Sequence, residues 1–151
     1  MSVLTLDLFV TGQPDYNINT ATSYLDLGPL YGATQEDQNA VRTFKDGFLK
    51  PDTFSSARIL GFPPGVSALL ICFNRFHNYI ATQLALINEG GRFSPPDPKS
   101  IEKMARAQAP KASDSQIAAA VKKQVEQAFI TRDNNLFQTA RLYISKVCKV
   151  Y

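Results

Sequence analysis

One imidazole stands in this chain of 151 residues, His77, and it is the one side chain whose ordinary pKa suits proton transfer near neutral pH. A single histidine excludes any mechanism that needs two imidazoles from these residues. His77 lies in Asn74-Arg75-Phe76-His77-Asn78, inside the longest apolar stretch. Its expected role is that of a hydrogen-bonded core histidine, with Arg75 and Asn78 as companions. A second pattern sets hard oxygen donors at alternate positions: the Thr22 hydroxyl, the Tyr24 carbonyl and the Asp26 carboxylate. In extended backbone alternate residues point the same way, which is a spacing that could grip a calcium-sized cation. One carboxylate is a poor calcium site by itself, so local chemistry favours an ordinary turn with side-chain to backbone bonds. The sequence holds no His/Cys metal cluster, no glycine-rich phosphate loop and no Gly-x-Ser-x-Gly elbow.

The elements that must position these residues are mostly helical. Residues 1–32 lack a helical period and read as an extended strap over a core. Thr34 followed by Asp37 is a helix start, with a short helix to Val41 or Arg42. Lys45-Asp46-Gly47-Phe48, flanked by Phe44 and Leu49, carries the Asp-Gly signal of a tight β-hairpin. Pro51 to Gly65 reads as a loop. From Val66 to Asn88, Leu69, Leu70, Phe73, Phe76, Ile80, Leu84 and Ile87 recur at helical spacing, and the helix is expected to be buried on most of its surface. Gly90-Gly91 should end it. Weak helix over Ile101–Gln108 follows. A helix capped by Ser113 and Gln116 comes next, and then a last helix over Asn135–Val150.

Composition sets the class. Hydrophobic residues at 44% and charged residues at 19% exclude a disordered chain, and the length fits one domain. A net charge of +3 is too small to imply nucleic acid. Cys72 and Cys148 lie in apolar segments and read as reduced, buried thiols. Asn74, Arg75, His77 and Asn78 interrupt the apolar run at mid-span, so it is expected to be a core helix and not a membrane span. With no basic leader before the mildly apolar Met1–Val10, an intracellular, cytoplasmic location is expected.

Four strings, in order and at matching spacing, resemble the animal-type haem peroxidases and cyclooxygenases. They are Thr22 to Gly32 (TSYLDLGPLYG), Arg42 to Lys50 (RTFKDGFLK), Phe62-Pro63-Pro64-Gly65 with Phe73 to Asn78 (FNRFHN), and Asp133 to Leu142 (DNNLFQTARL). Within that superfamily Asn74 to Tyr79 and Ala85 to Phe93 are similar to the fungal fatty-acid dioxygenases, the linoleate diol synthases and psi factor-producing oxygenases.

The resemblance implies a mainly α fold: part of a haem peroxidase-like domain with an extended N-terminal strap and one small hairpin. Its parts would be the strap 1–32, a short helix, hairpin and loop over 33–65, and helices over 66–151. It also implies haem b, an unsaturated fatty acid and dioxygen as substrates, and oxylipin formation. Calcium would fall to Thr22, Tyr24, Asp26 and Gly28, and an apolar haem edge to Ile59, Phe62 and Pro63. The family's two haem histidines and its radical tyrosine match no residue here. The chain is therefore expected to be an internal, by itself inactive, part of the dioxygenase domain, with no catalytic residue of its own. The alternative is a non-catalytic helical interaction or dimerisation module. Open apolar faces predict self-association as a homo-oligomer and poor solubility.

Overall fold

The computed structural model describes residues 27–110 and 112–149. They form a turn of helix α1 (Gly28–Tyr31), helix α2 (Gln35–Val41), a loop over 42–50, a 3-10 turn (Ala57–Gly61), the long α3 (Pro64–Ile87), α4 (Pro98–Gln108) and α5 (Asp114–Lys149). No strand forms among the described residues. Helix α5 has 36 residues, about 54 Å of axis, and packs against both α3 and α4.

Local chemistry explains the helix starts. Thr34 Oγ1 accepts from the Asp37 amide and the Asp37 carboxylate accepts from the Thr34 amide, a reciprocal box that starts α2. Pro64 opens α3, where a missing N–H costs nothing. Asp97 caps α4 by accepting from the amides of Lys99 and Ser100. The core lies where α1, α2 and the 3-10 turn close on α3 and α5, around Leu30, Tyr31, Val41, Leu49, Ile59, Leu70 and Phe137.

Several expectations are corrected. The part of the strap that is described coils instead of extending. Leu27 is left-handed (φ 57°), Pro29 presets the helical turn, and Leu30 and Tyr31 turn inward. The remainder of the strap lies outside the described residues. The hairpin is replaced by a curled loop with a single antiparallel bridge, Arg42 to Leu49. The Asp-Gly turn itself is present, with Asp46 at φ 54°, Gly47 at φ 71° and the Phe48 amide on the Lys45 carbonyl. Left-handed Phe44 and Asp52 bend the chain on either side of it, and the backbone bonds that cross the loop are the Thr43 amide on the Phe48 carbonyl and the Lys50 amide on the Val41 carbonyl.

The two expected C-terminal helices are one, α5, which runs through Asp133-Asn134-Asn135. Those poor helix formers are retained because Asp133 and Asn134 accept hydrogen bonds from outside the helix. Helix α3 stops at Asn88, which adopts the left-handed cap, and Gly90-Gly91 lie in the following turn. Only Leu70, Asn74, His77 and Ala81 of α3 are buried, so the expectation of burial on most of its surface fails. Cys72 is exposed, contrary to the reading of a buried thiol. No helix of the described residues is long and apolar enough to cross a membrane.

Candidate functional site

The buried stripe of α3 carries two polar side chains, Asn74 and His77, and each demands partners in the core. His77 is fully enclosed. Its Nε2 lies 2.9 Å from the Gly47 carbonyl and its Nδ1 lies 2.9 Å from the Tyr31 hydroxyl. A carbonyl oxygen only accepts, so Nε2 carries the proton and Nδ1 accepts from the Tyr31 O–H. Both ring nitrogens are therefore spent. Burial, reinforced by the nearby Arg42 cation, holds the imidazole pKa down to about 4 against the opposing Gly47 hydrogen bond. His77 stays neutral at physiological pH.

Around this ring the fold gathers residues from four places. Tyr31 of α1 packs edge-on against the rings of His77 and Phe137. The Gly47 peptide is clamped from both sides, because its amide donates to Asp133 Oδ1 at 2.6 Å while its carbonyl accepts from His77. Gly47 has to be glycine: at φ 71° a Cβ would sit 2.7 Å from Leu136 Cβ and from the Phe137 amide nitrogen. Arg42 is buried and donates to Asp133 Oδ2 and to Asn134 Oδ1, each at 2.7 Å. Its guanidinium lies 4.3 Å from the Phe137 ring centroid, and Arg141 covers the Tyr31 ring at 5.2 Å.

Two asparagines of α3 seal the loop. Asn78 accepts from the Leu49 amide and donates to the Leu49 carbonyl, taking the place of a strand neighbour. Asn74 donates to the carbonyls of Lys50 and Thr53. The companions expected for His77 are thus replaced. Arg75 faces solvent and pairs with Asp52, and Asn78 serves Leu49. What the sequence reading missed were Tyr31, Gly47 and Asp133. The available signal was that a buried imidazole needs both a donor and an acceptor, and each of these residues sits in one of the quoted strings.

This arrangement holds parts together; it does not expose a reactive group. The one imidazole has no free nitrogen for a metal, and the described residues contain no group of three His, Cys, Asp or Glu able to hold an ion. The described residues therefore do not fit a haem as its axial ligand. Among the residues expected at a haem edge, Ile59 is wholly enclosed in the core, Phe62 is half-buried against it, and Pro63 is exposed just before α3. Of the cation donors, Gly28 is the half-buried first residue of α1, while Thr22, Tyr24 and Asp26 lie outside the described residues.

Comparison with known proteins agrees with the four strings. A family model, animal haem peroxidase, matches residues 7–64. The chain is 65% identical over 95 residues, 63% of its length, to linoleate diol synthase of Gaeumannomyces graminis. It is 49% identical over 141 residues, 93% of its length, to psi-producing oxygenase A of Emericella nidulans. To a bifunctional dioxygenase–epoxy alcohol synthase of Fusarium oxysporum it is 51% identical over 144 residues, 95% of its length. It spans only 8%, 11% and 10% of those three relatives. No solved structure matches. Over residues 7–64 the chain matches the animal haem peroxidase family, and along most of its length it is homologous to a short part of these fungal oxygenases.

Proposed function

We propose that these residues are the non-ligating scaffold of a haem-dependent fatty-acid dioxygenase domain that forms oxylipins from linoleate-type substrates. The observation that carries this reading is the joint occurrence of high identity to such oxygenases with a sealed His77. The sole imidazole of the sequence is committed to Tyr31 and Gly47, so an axial ligand would come from sequence outside these residues. When bound, the haem would supply the redox chemistry. The contribution of this chain is to hold α1, the loop 42–50, α3 and α5 in fixed relation. Calcium at Thr22, Tyr24, Asp26 and Gly28, and haem-edge packing by Ile59, Phe62 and Pro63, belong to the same proposal. The competing reading, a non-catalytic helical interaction module, draws on the apolar residues that α3 leaves exposed.

A graft tests the proposal. The matching segment of the Gaeumannomyces linoleate diol synthase is replaced by this chain, and haem content and linoleate oxygenation are measured. Retention of both is expected. A chimera that folds and loads haem yet leaves linoleate untouched overturns the reading. The chain alone, mixed with haem, should give no stoichiometric ligated Soret band. Such a band, abolished by His77→Ala, would also sink it.

A further inference from the structure

We draw no further inference here: the strongest candidate, the cleft between α2, the loop over 42–50 and α5 that is lined by buried Arg42 with Phe44, Lys45 and Phe129, carries nothing because the chain matches only a short part of its relatives and nothing in the structure shows what covers that side.

Discussion

Lowering the pH from about 7 to about 5 protonates His77 in the unfolded chain but not in the folded one. The ordinary imidazole value is 6.5, and burial takes it to about 4 in the fold. Between those values the unfolded state binds more protons, so stability is fully present above the unfolded value and is lost as the pH falls. At 1.36 kcal/mol per unit the loss is about 2 kcal/mol at pH 5, and about 3 kcal/mol once the pH is below the folded value. The surroundings offer no relief. Tyr31 donates into Nδ1, the Gly47 carbonyl is already taken by Nε2, and the Arg42 cation lies close, although Asp133 offsets part of its charge. Urea unfolding followed by circular dichroism at steps from about pH 7 to about pH 5 measures this slope, and stopping there avoids most carboxylate titration. His77→Gln keeps an amide that both donates and accepts but removes the proton site, so its slope over this range should be close to flat. Parallel slopes for the two proteins would refute the argument, because the acid sensitivity would then belong to other groups.

Three further substitutions probe the same knot. Asp133→Asn leaves the buried Arg42 cation without its counter-charge and should cost about 3–5 kcal/mol of unfolding free energy by urea titration. Gly47→Ala drives a Cβ into Leu136 and the Phe137 backbone at a left-handed position, and should cost about 2–4 kcal/mol in the same titration. Arg75→Ala removes the exposed pair with Asp52 and should leave the melting temperature within experimental error, although the pair is bidentate.

What could be read in advance is what depends on near neighbours. Thr34 and Asp37 are three residues apart and make their box without help, so the start of α2 was legible. The 3.6-residue recurrence of apolar side chains likewise announced α3. The Asp46-Gly47 turn was legible as a turn, yet it did not become a hairpin. The flanking backbone bends at left-handed Phe44, and the loop so formed is held by Asp133, 86 residues beyond Gly47, and Asn78, 29 beyond Leu49. The same distant bonds reversed the reading of Asp133-Asn134-Asn135, which looks like a helix break until Arg42 and Gly47 are brought against it.

The candidate site teaches a narrower lesson about likeness between sequences. Each of the four strings that carry the resemblance contributes to one knot: Tyr31 from the first, Arg42 and Gly47 from the second, His77 from the third, Asp133 from the fourth. A buried polar network tolerates no missing member, since removing one partner leaves the other desolvated and unpaired at about 1–3 kcal/mol, more when it is charged. The side chains that look most chemical in such strings are therefore held in place by mutual satisfaction. A histidine in them is as demanding of identity when it is wedged between a phenol and a carbonyl as when it performs proton transfer. His77 shows the difference in its geometry: a residue that shuttles protons needs a nitrogen turned toward something that changes, and both of its nitrogens face groups that do not.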